Sequence, residues 1–548
     1  MSRLHWMLAV IAAAPVVLGL SNQIHDFDPS QYAEVARRML QANQWLDLHD
    51  SWAPFVNKPP LTMWAQAVTM AVFGVGSFAA RLPVLLFGLL AMAATYVAGK
   101  ELWNARTGGL AAIGVGGSIA FQHMVADPKV DMPLLAFSTV SIAALLVSRR
   151  RPGVVWLAWV SAGLAMLSKG PLGVVLPMAA VGPELIRASW LDGTTLWQRL
   201  GKMKLVRGFL IVAVLAVPFY LAIYLRSGTD AAMYLLVRQG FGRLTGNSGW
   251  NDQTTPLYFV HTAAWAFFPM TPWLVVGLVR RAIALVKTKA LPGSVERVAI
   301  WWLAIPFVAI SISTYKLPQY VYWLVAPASL LAARELTLVS EKAAPRWRMG
   351  AAALGVVVLA AVAVSSRWIF PVSLWWLVPV AGVQLGVWWL VRSAETPERV
   401  LGAWLAASTG LLVFFHGSFH RELLEFQPGE RIAKLIRAQE PGERTFFAIG
   451  DRPTHSVAFY SERDFVSFWP AELRTKLQTM APSTVRSVVL APDITDEFLT
   501  AEGLAIVEST SFPSFLTSMP SGRFLLATSR PEVLRNWRVV RVRLATQE

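Results

Sequence analysis

The chain has 548 residues, 55% hydrophobic and only 15% charged, with 49 Lys and Arg against 33 Asp and Glu for a formal net charge of +16. A soluble domain carries about a quarter charged residues, so an ordinary globular enzyme is excluded. Apolar runs recurring from residue 4 to residue 417 exclude a peripheral or singly anchored protein, and the absence of cysteine excludes disulfides and thiol chemistry.

Residues 4–20 follow Arg3 and lead into an acidic loop without the small-residue exit of a cleaved signal, so they read as the first transmembrane helix. Within the polar segment 21–60, residues 30–43 carry Tyr32, Val35, Ala36, Met39 and Leu40 at helical spacing, with Glu34, Arg37 and Arg38 on the polar side. That pattern predicts an amphipathic helix lying on the membrane surface. Residues 61–76 contain Gln66 and end at Gly74 and Gly76. They are expected to lie in the interface too, because a crossing there would put the later charges on the wrong sides. Further spans are predicted at 82–98, 108–124, 132–147, 153–167, 171–186, 208–225, 257–279, 298–313, 320–333, 349–364, 374–391 and 400–417. Thirteen crossings leave nearly every Lys/Arg cluster on the side of the N-terminus, as the positive-inside rule requires, so the basic charge reads as a topology signal rather than a nucleic-acid footprint.

Residues 418–548 lose the long apolar runs and read as a soluble domain with a core of its own. Apolar stretches at 445–449, 457–460, 487–490 and 524–528 alternate with helix-like stretches at 429–439 and 472–479. Short strands separated by helices predict a small α/β domain.

The unusual polar residues fall in the loops assigned to the outer side. Asp28, before Pro29 and Ser30, reads either as a helix cap or as a functional carboxylate. Asp131 heads directly into apolar sequence, where a carboxylate is costly and points to function, whereas Asp127 competes as a solvated turn residue or cap. Lys58, held by Pro59 and Pro60, joins Lys169, Lys316, Arg238 and Arg243 on outer loops, against the positive-inside bias. A single such cation can snorkel to lipid headgroups; five together indicate an anionic ligand, for which a phosphate fits. Trp250 suits either the interfacial aromatic belt or a sugar-stacking position.

Six short elements occur in register between about residues 20 and 335: Asp28…Gln31-Tyr32-Ala33-Glu34-Val35-Ala36, Lys58-Pro59-Pro60, Ala79-Ala80-Arg81-Leu82-Pro83, Val130-Asp131-Met132-Pro133, Ser168-Lys169-Gly170-Pro171 and Lys316-Leu317-Pro318-Gln319-Tyr320. On these the chain resembles the aminoarabinose transferase group of polyprenyl-phosphate-sugar-dependent membrane glycosyltransferases, relatives of the protein O-mannosyltransferases. The resemblance implies a polytopic α-helical membrane protein of C-type glycosyltransferase architecture. It would have about 13 transmembrane helices over 1–417, interfacial helices in the first outer loop and a periplasmic α/β domain over 418–548. It implies the bacterial inner membrane, with the active site facing the periplasm. Asp28 and Asp131 would be the catalytic acids. Lys58, Arg243 and Tyr320 would hold the donor phosphate, with Lys316, Lys169 and Tyr32 beside them. The donor would be a sugar on undecaprenyl phosphate, foremost 4-amino-4-deoxy-L-arabinose, and the acceptor lipid A or a related envelope glycolipid, reached by inverting displacement. No cofactor is firmly implied, and a divalent ion shared by Asp28 and Asp131 stays open. Gln31, Asn57 and Gly240 stand where relatives often carry Arg, an acidic residue and His, which leaves the sugar and the acceptor open. Transfer of another sugar to a secreted protein or O-antigen is the alternative. A transporter is the distant one, since the charges gather at one interface and no internal repeat is visible.

Overall fold

A chain inside hydrocarbon has no water to satisfy its backbone, so its long apolar runs close into helices. The computed structural model describes residues 2–239, 242, 254–289, 292–338, 342–392, 396–450, 453–479, 484–515 and 521–545. It is mostly helical. The first half holds α1 (Arg3–Ala13), α2 (Asp28–Ala42), α3 (Leu61–Phe73), α4 (Ser77–Leu102), α5 (Ala105–Gly116), α6 (Ile119–Ala126), α7 (Asp131–Ser148), α8 (Val155–Lys169), α9 (Leu172–Asp192), α10 (Leu196–Lys202) and α11 (Leu205–Met233).

Nine helices among the described residues are long and apolar enough to cross a membrane, and each coincides with an expected span. The protein is therefore a multi-pass membrane protein. The other four expected spans are short or broken. The first is α1 followed by a 3-10 segment over Ala14–Gly19 with Pro15 in its first turn. The third is the pair α5 and α6, bent by 47°. The bend falls at Gly117 and Ser118, where the Ser118 hydroxyl accepts the Phe121 N–H at 3.1 Å and starts a new helix. The eighth divides into Tyr258–Ala266 and Thr271–Thr288, because Pro269 cannot continue a helix. The tenth is only Val325–Leu336, after two 3-10 turns. The seventh runs further than expected: α11 continues past residue 225, with Gly228 at φ 79°, into a π turn at Tyr234–Arg238.

Helices α4, α5, α7, α8 and α9 pack together as the inner bundle. Small residues let α4 and α5 approach closely. A Cβ on Gly108 would lie 2.4 Å from the Tyr96 carbonyl oxygen, and one on Gly99 would lie 2.6 Å from the Gly108 Cα. Gly108→Val is expected to destabilise the protein by about 3 kcal/mol through overpacking. Thermal unfolding in detergent checks this, and an unchanged midpoint would contradict the crossing.

The C-terminal part carries a five-stranded sheet of β1 (Thr445–Ile449), β2 (Asp464–Phe468), β3 (Arg486–Leu490), β4 (Leu504–Ser514) and β5 (Arg535–Leu544), in the order β2-β1-β3-β5-β4. β1 runs parallel to β2 and β3, and β5 antiparallel to β3 and β4. Residues 457–460, expected as a strand, lie in the helix His455–Ser461, and 524–528 is a short helix followed by a turn. A short apolar run fits either element.

The polar side of α2 is covered by protein rather than left in water. Its polar residues Glu34 and Arg37 are 0% and 1% exposed. Arg37 donates to both Glu34 carboxylate oxygens at 2.6 and 2.7 Å, and the Ser51 hydroxyl donates to the same carboxylate at 3.0 Å. This satisfied pair lets α2 be covered by α3 on one side and by the helix His455–Ser461 on the other.

Candidate active site

Two segments bring carboxylates together. The first is the loop 21–27 that runs into α2. Asp28 is the first residue of the helix and is exposed. Its side chain makes no capping bond, and the N-cap is Phe27, so the cap reading is not what this helix uses. One turn on, Tyr32 is buried edge-on against Phe55 at 5.9 Å. Burial, reinforced by Asp28 and Asp131, pushes the Tyr32 phenol well up, so it stays protonated.

The second segment is the turn 127–130 between α6 and α7. Asp131 opens α7, is 3% exposed, and accepts from the Lys169 ammonium at 2.5 Å. Asp127 is not a solvated turn residue: it pairs with Lys129 at 2.8 Å inside a small cavity shared with His123, Asp131, Gln319 and Tyr322. Burial opposes its ionisation, but Lys129, His123 and His25 outweigh this and hold its carboxyl below the usual range. Burial likewise opposes the Lys129 charge, and Asp127, Asp28 and Asp131 together raise its pKa above the ordinary value. His25, close by, is driven by burial down to about 4 and is neutral. Lys129 was not singled out in the sequence; its position between two aspartates in Asp127-Pro128-Lys129-Val130-Asp131 is the signal that marks it.

A mostly apolar groove opens beside these acids. Lys58, Lys169 and Tyr320 form its polar end, and side chains such as Leu176, Leu235, Ile305 and Ile310 line the rest. Lys58 donates to Gln239 Oε1 at 2.7 Å, and Lys169 lies 5.0 Å from the centre of the Tyr320 ring. An apolar groove that carries two ammonium groups suits a lipid phosphate: the lipid chain would lie against the apolar side chains and the phosphate would meet the ammoniums.

The remaining candidates divide. Lys316 does not line this groove; its ammonium donates to the Ser313 and Thr254 carbonyls at 2.6 and 3.2 Å. Arg238 is exposed near Asp230, at 3.7 Å. Arg243, Gly240 and Trp250 lie outside the described residues. A divalent ion shared by Asp28 and Asp131 does not fit this donor set. The Lys169 ammonium occupies Asp131, Lys129 stands among the acids, and no three His, Asp or Glu among the described residues converge on a metal position.

Comparison with known proteins bears on the fold and on sequence kinship. Residues 57–221 match the model of the dolichyl-phosphate-mannose-protein mannosyltransferase family. The undecaprenyl phosphate-alpha-4-amino-4-deoxy-L-arabinose arabinosyl transferase 2 of Proteus mirabilis is 24% identical over 324 residues, 56% of this chain and 54% of that protein. The corresponding transferase of Pseudomonas aeruginosa is 27% identical over 348 residues, covering 60% and 58%. The chain thus aligns with little more than half the length of the curated relatives it matches. The crystal structure of ArnT from Cupriavidus metallidurans bound to undecaprenyl phosphate superposes with a TM-score of 0.74 at 20% identity, over 98% of both chains. The apo oligosaccharyltransferase of Archaeoglobus fulgidus gives 0.51 at 13% identity, over 84% of this chain and 64% of that one. The chain has the fold of the ArnT crystal structures and is a sequence relative of the undecaprenyl-phosphate aminoarabinose transferases.

Proposed function

We propose that the protein is an inverting membrane glycosyltransferase that moves 4-amino-4-deoxy-L-arabinose from an undecaprenyl-phosphate donor to lipid A or a related envelope glycolipid, at the periplasmic face of the bacterial inner membrane. The observation that carries this reading is the apolar groove whose cationic end, Lys58 and Lys169, adjoins Asp131 and the acidic cluster. In this account the membrane-spanning part is 1–417, with thirteen crossings once the short and broken spans are counted, and 418–548 forms the periplasmic domain.

The reaction breaks the bond between the sugar's anomeric carbon and the phosphate oxygen, and forms one from that carbon to an acceptor oxygen. The departing polyprenyl phosphate gains charge, which Lys58 and Lys169 would stabilise, with Tyr320 beside Lys169 as a further contact. Positive charge develops on the sugar, and Asp28, exposed at the head of α2, would face it. With a hydroxyl acceptor Asp28 serves as general base; with a phosphate acceptor no base is needed and Asp28 orients the acceptor or the sugar's amine. Asp131, tied to Lys169, would act by holding that ammonium in place. Arg243 is proposed for the phosphate on the resemblance alone, and Lys316, bonded to backbone, for the shape of the loop before Tyr320.

Lys58→Ala is expected to raise the donor KM about tenfold, the worth of one charge-assisted hydrogen bond, and to lower kcat less. Titrating a short-chain polyprenyl-phosphate sugar against both proteins checks this. An unchanged KM would remove the groove as the donor site.

A further inference from the structure

The loop that delivers Asp28 has no regular secondary structure between residues 22 and 25, so its position depends on what holds it. Much of that hold comes from the C-terminal part of the chain. The Tyr460 hydroxyl accepts the Ile24 N–H at 2.7 Å and bonds the Ser77 hydroxyl at 2.6 Å. Gln427 Oε1 accepts the Asp26 N–H at 3.1 Å, while its own amide donates to the Phe515 carbonyl at 2.9 Å. The Gln23 amide donates to the Gln427 carbonyl, and the Ser456 hydroxyl donates to Asp26 Oδ1. Asp26, Gln427 and Ser456 are 3%, 4% and 0% exposed.

A carboxyl so deeply buried is costly to ionise: burial outweighs the Ser456 hydroxyl bond and pushes its pKa up to about 7, and among the described residues it has no salt bridge. Gly429 adds an independent sign of close fit: a Cβ there would lie 1.7 Å from Ser456 Oγ and 2.8 Å from Asp26 Oδ1. Two parts of the chain separated by some 400 residues meet with no room for a methyl group, two residues before the exposed carboxylate at the head of α2.

We propose that Asp26, clasped by Ser456 and Gln427, is a positioning residue through which the C-terminal domain fixes Asp28 in the active site. The proposal rests on the reading of Asp28 as a carboxylate at the reacting centre. It gives the domain a share in the chemistry of sugar transfer, distinct from docking an acceptor or capping the cavity. Lys58, Lys169 and Tyr320 lie on other elements, so donor binding should survive when the clasp is opened.

The test combines hydrogen exchange with kinetics on the full-length protein, comparing wild type with Asp26→Ala, Asp26→Asn, Ser456→Ala and Gly429→Ala. Peptides spanning 22–36 should exchange about tenfold faster in Asp26→Ala and Gly429→Ala, while peptides from β1 and β3 stay protected. With donor and acceptor supplied, kcat should fall between about tenfold and a hundredfold with donor KM within about twofold, because a misplaced catalytic group costs rate rather than ground-state binding. Asp26→Asn keeps an oxygen for Ser456 and should recover most of kcat; Ser456→Ala should fall between. Unchanged exchange at 22–36 in a folded Asp26→Ala protein would overturn the clasp, as would a raised KM with intact kcat. If wild type turns over no donor, the glycosyltransferase reading fails, and the exchange experiment still decides whether the clasp holds this loop.

Discussion

Asp28→Asn is expected to lower sugar transfer about a thousandfold while leaving affinity for polyprenyl phosphate within about threefold. The substitution keeps the size of the side chain and removes its charge. That charge is what an oxocarbenium-like sugar meets, and what a hydroxyl acceptor needs for its proton. The proposed phosphate site draws on Lys58, Lys169 and Tyr320, which lie on separate elements, so ground-state binding should be nearly untouched. The variant also separates catalysis from architecture. A capping aspartate lost from a helix N-terminus costs about 1 kcal/mol of stability, but Asp28 makes no capping bond, and the thermal midpoint should not move. Single-turnover kinetics and a melting curve on the same preparation provide both readouts. A falling midpoint with preserved turnover would return Asp28 to a structural role.

The second large effect is expected at Arg81, in α4. Its guanidinium is 0% exposed and faces four backbone carbonyls. Nε donates to Ala126 at 2.9 Å, Nη2 to Gln23 at 2.7 Å, and Nη1 to Leu20 at 3.3 Å and to Asn22. No other residue type spans this geometry, because only the planar fork reaches in several directions at once. Leu20, Asn22 and Gln23 lead to Asp28, and Ala126 precedes the turn that carries Asp127, Lys129 and Asp131. Arg81 thus ties the two acid-bearing segments to one helix. Arg81→Ala leaves these carbonyls without their donor in a buried place and should cost at least about 4 kcal/mol. Arg81→Lys should rescue little of it. Differential scanning in detergent would read the loss. A melting point and turnover like wild type in Arg81→Ala would show that the segments are held by other contacts.

The main architecture could be read from the amino-acid order because hydrocarbon leaves a chain few choices. Nine of the spans expected from apolar length and charge alternation appear as long helices. Three of the four exceptions have local causes that sequence carries faintly: Pro15 in the first, Gly117 and Ser118 in the third, Pro269 in the eighth. The fate of α2 was not legible. Its moment shows an apolar face and a polar face, but the same pattern serves a helix on lipid and a helix whose polar side is buried by a bidentate Glu34–Arg37 pair. Only the partner, the helix His455–Ser461, decides between them, and it lies some 420 residues away. In the C-terminal part, β5 was missed for a related reason. Its arginines Arg538, Arg541 and Arg543 read as charge, yet Trp537 and Val539 on one face and Val540 and Val542 on the other are all buried in the core of the sheet. Lys58, Lys169, Tyr320, Asp28 and Asp131 were all singled out from their motifs, and the structure places Lys58, Lys169 and Tyr320 on the lining of one groove. Lys316 shared a motif with Tyr320 but turns to backbone carbonyls, a distinction that spacing does not encode. The clasp around Asp26 depends on neighbours distant in the chain, and became visible only in three dimensions.

The most direct measurement of the central claim is transfer itself. The purified protein in nanodiscs would receive undecaprenyl-phosphate-linked 4-amino-4-deoxy-L-arabinose together with lipid A, and the products would be read by mass spectrometry beside Asp28→Asn. The account predicts lipid A that gains one aminopentose, release of undecaprenyl phosphate in equal amount, and neither product from the variant. A donor left intact with every acceptor offered, or turnover that Asp28→Asn leaves unchanged, would contradict it.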